Sequence, residues 1–307
     1  MSKWKSRVAA IVAALLVLGG GAYYWLVMES HMPGDAAFTL DIEGARKLAD
    51  SLPGDKPVAI HAEQIAAFTF PATAIVAGDG WAQVAMPVFS YELVYPDGVT
   101  GIIDTGLDKA AAEAAGTTAF DPEAYERMSA ALHKASFILL THEHMDHIGG
   151  LAAQSDVASL HEAVRITAEQ QAHPERMAPV KFPDGVLESF TPLVYGDMAA
   201  IAPGVVVIKS PGHSPGSQMV YVRRADGREY LFLGDVAWQF RNIETQRERA
   251  RLVTQFMLKE DRLQVFGELK ALAALLKTVP ELVIVPGHDG KVIANLLSGQ
   301  LMRAKFE

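Results

Sequence analysis

Five times in this chain, a short apolar run ends in a loop that carries a histidine or an aspartate. The runs are VTGIID, ending at Asp104; FILL with THEHMDH after it, residues 137–147; VVVIKSPGH, ending at His213; YLFLGD, ending at Asp235; and LVIVPGH, ending at His288. Apolar runs of this length bounded by turn residues read as buried strands. Strand ends are rigid, and loops that leave several of them can converge on one edge of a sheet. Neutral imidazole nitrogens and carboxylate oxygens are donors that suit zinc. The neighbouring glycines permit the backbone turns that aim such side chains. The repeated pattern is therefore compatible with strands whose ends meet at one polar site.

The stretch THEHMDHIGG, residues 141–150, is the densest of the five. If strand conformation persists beyond FILL, His142 and His144 point the same way, because side chains alternate with period two. Asp146 and His147 lie beyond them, at the turn into a helix beginning near Gly149, and address a neighbouring position. One metal cannot easily use all four groups, whereas two adjacent metals can. Gly149 and Gly150 let the chain turn away. Glu143 and Met145 point away from the site. His31, His61, His133, His161 and His173 lack the strand-end setting and read as solvated or hydrogen-bonded residues.

The rest of the text predicts a layered α/β body. DIEGARKLADSL is a short helix closed by Pro53-Gly54, packing against the domain edge. Residues 58–104 are strand-like with turns between, including Pro96-Asp97-Gly98. Residues 107–134 are helical, with Pro122 as the first residue of a helix. Residues 151–200 mix helix and loop around four prolines. The segment 243–277 reads as helix, with Leu263, Phe266, Leu269, Leu272 and Leu276 at helical spacing. Strands in groups with helices between the groups suggest layers and not an alternating βαβ array.

Residues 8–28 carry no charge and, as a helix, span about 30 Å, enough for a bilayer's hydrocarbon core. Lys3, Lys5 and Arg7 precede this run, and Glu29 and Asp35 follow it. The asymmetry predicts a cytoplasmic N-terminus and a body on the periplasmic or extracytoplasmic side. A cleaved signal peptide, which would leave a secreted protein, normally has a shorter apolar region. The expected division is an anchor over 1–30, a linker with a short capping helix over 31–57, and a catalytic body over 58–307. The chain carries a net charge of −9. Its N-terminal segment is basic, so the body is more acidic still, a poor match to nucleic acid. Without cysteine there is neither a disulfide nor a thiolate zinc site.

The pattern His-x-His-x-Asp-His at 142–147, followed by His213, Asp235 and His288, with Asp104 upstream, resembles that of the metallo-β-lactamase superfamily. The resemblance covers about residues 58–295. It implies a four-layer αββα sandwich with a two-metal site at one edge. His142, His144 and His213 would hold one metal, Asp146, His147 and His288 the other, and Asp235 would bridge them. Asp104 would orient a ligand histidine, as outer carboxylates commonly do.

Two zinc ions about 3.5–4 Å apart can share a water and make hydroxide near neutral pH. The resemblance thus implies a hydrolase, and Asp146 would also shuttle a proton. Iron or manganese suits the same donors. The acidic bridge Asp235 and the stretch PGHSPGSQ resemble the lactonase branch, so the expected substrate is an ester or lactone, with acyl-homoserine lactones among the candidates. Hydrolysis of β-lactam, thioester or phosphotriester bonds by the same site is the alternative, and a membrane-tethered, non-catalytic metal-binding domain is a second class. Trp238 and Phe240 are expected to form an apolar wall for an acyl chain, and Tyr195 to face the substrate.

Overall fold

Side-chain alternation along the strands sorts the apolar residues into separate cores. A computed structural model describes residues 3–306. Its strands are β1 (Ala59–Pro71), β2 (Gln83–Val94), β3 (Thr100–Ile103), β4 (Ala119–Phe120), β5 (Ala135–Leu139), β6 (Val164–Arg165), β7 (Met198–Ala202), β8 (Val205–Lys209), β9 (Gln218–Arg223), β10 (Glu229–Phe232), β11 (Val283–Val285) and β12 (Arg303–Ala304). One sheet runs β12-β1-β2-β3-β5-β6, with β4 also paired to β1; the other runs β11-β10-β9-β8-β7.

Ile103, Phe137 and Leu139 face inward and meet Val205, Val207, Val220 and Phe232 of the second sheet in one core between the sheets. Their neighbours Ile102, Ile138 and Leu140 face outward, onto the helices Pro122–Leu132 and Met145–Ala152. In the second sheet Val206, Ile208 and Leu231 face outward, onto the helices Ile42–Ala49 and Arg262–Thr278. Period-two alternation with both faces apolar produces helix, sheet, sheet and helix in that order. This is the expected four-layer sandwich.

Two elements differ from the sequence reading. Helix Ile42–Ala49 buries Ile42, Ala45 and Ala49 on the outer face of the second sheet, not at the domain edge. The segment 243–277 is not one helix. It comprises Phe240–Thr245, a π-helical segment Leu252–Leu258, and Arg262–Thr278, with Gln246 and Lys259 in the left-handed region between them. The breaks turn Arg249 and Glu260 inward, where both are buried. Leucine periodicity in the last third could not reveal that.

The N-terminal helix Lys3–Tyr23 continues as a π-helical turn Tyr24–Met28, together long and apolar enough to cross a membrane. None of the helix Lys3–Tyr23 is buried in the body. Its foot is tied down: Arg247 donates to the Met28 carbonyl at 2.6 Å, and the Glu248 amide to Ser30 Oγ at 3.0 Å.

Candidate metal centre

Strand direction brings the polar loops together. β3 and β5 are parallel, and so are β10 and β11, while β8 reaches the same direction through β9. The C-terminal ends of β3, β5, β8, β10 and β11 thus share one edge, from which Asp104, the 141–147 stretch, His213, Asp235 and His288 project.

The seven expected donors form two adjacent groups, His142, His144, His213 and Asp235 in one, and Asp146, His147 and His288 in the other. In the first, His144 Nδ1 lies 3.1 Å from His142 Nε2 and 2.9 Å from His213 Nε2. Asp235 Oδ2 lies 3.4 Å from His213 Nε2 and 3.8 Å from His142 Nε2. In the second, His288 Nε2 is 3.5 Å from Asp146 Oδ2. Asp235 turns its other oxygen this way, 3.1 Å from His288 Nε2 and 3.3 Å from His147 Nε2. One carboxylate stands between the two groups.

The spacing suits cations. Donors at zinc bond lengths around a tetrahedral ion stand about 3.3 Å apart. His147 Nε2 and Asp235 Oδ1 are buried and have no hydrogen-bond partner among the described residues. Leaving such atoms unmatched is costly, and a divalent ion between them satisfies both.

The backbone differs locally from the expectation. β5 ends at Leu139, and His142 and His144 lie in the loop beyond it, with His144 as the N-cap of helix Met145–Ala152. Their convergence comes from loop and cap geometry, not from strand alternation. The helix starts at Met145, so Asp146 and His147 occupy its first turn, where the helix dipole favours a carboxylate. Gly149 and Gly150 lie inside it and do not turn the chain away. A Cβ on Gly150 would stand 2.0 Å from the Thr105 carbonyl oxygen, so glycine there lets the helix lie against the loop after β3. Thr105 seals the contact, donating from its amide and from Oγ1 to the His147 carbonyl at 2.7 and 2.9 Å.

The far nitrogens of three rings are also held. His147 Nδ1 meets Asp104 Oδ2 at 2.8 Å. Asp104 sits at φ 58°, an uncommon backbone for a non-glycine residue, and also accepts from the Thr141 amide at 2.7 Å and Thr141 Oγ1 at 2.8 Å. His288 Nδ1 meets the Pro87 carbonyl at 2.8 Å. His213 Nδ1 meets Glu260 Oε1 at 2.5 Å. Buried Arg249 pairs with that carboxylate, donates to the Asp235 carbonyl at 3.0 Å and lies over the Trp238 ring. Sequence reasoning missed Glu260 and Arg249, because both lie in a charge-rich stretch that reads as solvated helix.

Burial pushes the His144 and His213 imidazoles down to about 3, so both are neutral with a lone pair free at physiological pH. Burial also pushes His147 and His288 down, but the carboxylates around them reverse the sign: Asp104, Asp146 and Asp235 raise His147, and Asp235 and Asp146 raise His288. Burial raises Asp235, yet the surrounding His288, His147 and His142 hold it well below the usual carboxylate range.

A cavity of about 560 Å³ opens beside the donors, with Phe68, Phe70, Met86, Met145, Trp238, Met257 and Leu258 in its lining. Trp238 lies in this lining and donates from Nε1 to Asp235 Oδ2 at 2.6 Å. Phe240 is a correction: it packs with the outer core of the second sheet, outside the cavity lining. Tyr195 is another: its hydroxyl donates to Gln218 at 2.5 Å and its ring packs on the core between the sheets. Met145, expected to point away, lines the cavity. Glu143 does turn away from the donors, yet it is buried, accepting from Ser214 Oγ at 2.8 Å and the Gly216 amide at 3.2 Å. It thereby holds the loop that carries His213. His61 is buried too, 3.2 Å from Glu92 across the β1–β2 pair.

The family model described as the metallo-β-lactamase superfamily matches residues 84–288, a span that contains every donor. The chain belongs to the metallo-β-lactamase superfamily. It is a metal-dependent hydrolase of that superfamily. Among solved structures it is similar to a quorum-quenching N-acyl homoserine lactone lactonase, at 16% identity over 77% of this chain and 94% of that one, TM-score 0.60. It is also similar to an N-acyl homoserine lactone hydrolase with its product N-hexanoyl-L-homoserine at the catalytic metal centre, at 17% identity over 78% and 96%, TM-score 0.61. A third is a probable metal-dependent hydrolase from Staphylococcus aureus, at 15% identity over 77% and 91%, TM-score 0.57. At these identities the likeness concerns the fold. No curated protein sequence matches the chain.

Proposed function

We propose that this superfamily member is a dinuclear zinc hydrolase of carboxylic ester or lactone bonds, with acyl-homoserine lactones among its candidate substrates. The observation that carries the reading is the single Asp235 carboxylate with one oxygen toward each donor group. In it, His142, His144 and His213 would hold one ion, Asp146, His147 and His288 the other, and Asp235 would serve both. Iron and manganese suit the same donors. When bound, two such ions supply Lewis-acid activation of water and of the scissile carbonyl.

The chain's own residues do the rest. Asp104, Glu260 and the Pro87 carbonyl fix three rings in the orientation that aims Nε2 inward. Trp238 and Arg249 hold Asp235 from two sides. Asp146, on the cavity surface, would take up the proton released by the attacking water and return it to the leaving alkoxide. The apolar cavity wall excludes water and seats an acyl chain. The lactonase-like neighbours, one with product at its metal centre, support the lactone class.

Purified full-length protein is to be assayed for metal content and, on the same sample, against lactones, esters, thioesters, β-lactams and phosphotriesters. Two zinc per chain and turnover of lactones or esters are expected. Turnover confined to another bond class would replace the substrate assignment. Full metal with turnover of none of these substrates would overturn the ester and lactone assignment. Asp146→Asn with unchanged turnover and metal content would remove the proton-transfer role.

A further inference from the structure

The cavity wall and the foot of the N-terminal helix are built from one patch of structure. The segment Leu252–Leu258 supplies Met257 and Leu258 to the cavity lining. On its open side it presents Leu252, Phe256 and Met257, exposed by 52%, 62% and 54%. Just before it, Arg251 lies over the Trp25 ring at 4.7 Å, donates to the Trp25 carbonyl at 3.3 Å and pairs with Glu29. At the same foot, Trp81 stacks on Tyr23, with ring centroids 6.4 Å apart, and donates to the Tyr23 hydroxyl at 3.2 Å. Trp81 is itself 60% exposed. Tyr23, Tyr24 and Trp25 end the apolar run where interfacial aromatic residues belong, at headgroup level. Contiguity with that belt puts the exposed apolar side chains of the body at the same depth. Large apolar side chains clustered in this way mark a surface that meets another phase.

We propose that this face of the catalytic body, Trp81 with Leu252, Phe256 and Met257, is seated in the outer surface of the membrane that the N-terminal helix spans. The cavity mouth beside Met257 and Leu258 then opens at the lipid surface, and the substrate class is a long-chain acyl ester or lactone already dissolved in the bilayer. The seating rests on residues 8–28 remaining in the membrane, and the substrate class on the hydrolase reading above. Arg176 steadies the mouth, donating to the Leu258 carbonyl and, at 3.4 Å, to the Lys259 carbonyl. The exposed Lys259 side chain extends the same rim, where its stem can lie along the apolar surface and its ammonium reach the polar headgroup layer.

The chain has no cysteine, which makes a depth measurement direct. Leu252→Cys, Phe256→Cys and, as a control, Val99→Cys are each labelled with an environment-sensitive fluorophore in full-length protein. Val99 follows the β2–β3 turn, at the end of the sheet opposite the donors. In proteoliposomes containing nitroxide-labelled lipid, the labels at 252 and 256 are expected to be blue-shifted and quenched, and the label at 99 unquenched. Equal exposure of all three to water would overturn the seating.

The second arm compares Leu252→Ser and Phe256→Ser with the unmodified chain in the same vesicles, since neither residue lines the cavity. Hydrolysis of a dodecanoyl lactone is expected to fall about five-fold or more, and that of a water-soluble butanoyl lactone to stay unchanged. An equal effect on both substrates would overturn access from the lipid. Quenching without turnover of any acyl substrate would count against the ester and lactone reading while leaving the seating in place.

Discussion

Asp104 shows how much one side chain can organise. It takes an unfavourable backbone conformation and in return accepts from Thr141 twice and faces His147 Nδ1. Asp104→Asn removes the charge opposite the ring and places an amide where two donors now point. Loss of such outer partners typically costs 10–100-fold in metal affinity or activity. A loss of about that size is expected, read by metal titration with activity alongside. Glu268 is a second residue of this kind. Burial pushes its carboxyl up to about 8; the Gly212 amide donates to it at 3.2 Å, and its other oxygen lacks a partner among the described residues. A carboxyl raised in the folded state is more readily ionised in the unfolded chain. Its contribution to stability is therefore complete below about pH 4.3 and is lost as pH rises toward 8. Glu268→Gln, which keeps an acceptor and cannot ionise, is expected to raise Tm at pH 8 and to leave it nearly unchanged at pH 4.5. A larger gain at the lower pH would contradict the sign.

At the scale of elements, helix Met145–Ala152 is placed by what it lacks. Gly150→Ala drives a methyl into the Thr105 carbonyl, whose loop also carries Asp104. Overpacking costs about 1–3 kcal/mol, and more where backbone is in the way. The helix also carries Asp146 and His147, so Gly150→Ala is expected to lower Tm and to lose metal from their group first. Gly287 obeys the same logic, with its Cβ position 2.4 Å from Asp235 Oδ1. The segment 246–261 is the opposite case. Its breaks at Gln246 and Lys259 could not be read from sequence, because the force that bends it is the burial of Glu260 and Arg249 against His213 and Asp235, which are remote in the chain.

For the whole molecule, the sandwich gathers buried imidazoles and carboxylates at one edge, where divalent cations would complete them. A ligand present at about 1,000 times its Kd adds roughly 4 kcal/mol to stability. Removing the metals with a chelator is therefore expected to lower Tm by roughly 8–16 °C, reversibly on adding zinc back. No shift would mean that the donors are satisfied without ions. The N-terminal helix is bound to the body through Met28 and Ser30. If it is an uncleaved anchor, protein extracted from membranes begins at residue 1 or 2. A start between residues 22 and 30 would instead identify a signal peptide.

By itself the sequence displayed a layered α/β body and five strand-end loops with a histidine or aspartate, because apolar runs bounded by turn residues are local patterns that one chain shows in full. The four-layer order and the set of seven candidate donors came from the family resemblance. The sequence also showed Asp104 and the apolar N-terminal run. Tertiary structure alone decided which groups stand behind the rings. Glu260 acts on His213 from 47 residues away, and nothing local distinguishes it from a solvated glutamate. It also decided the cavity wall. Trp238 faces the donors while Phe240, two residues on, packs in the outer core, and Met145 turns toward the cavity and not away. Side-chain direction within a loop follows from the surfaces packed against it, and those surfaces come from distant parts of the chain.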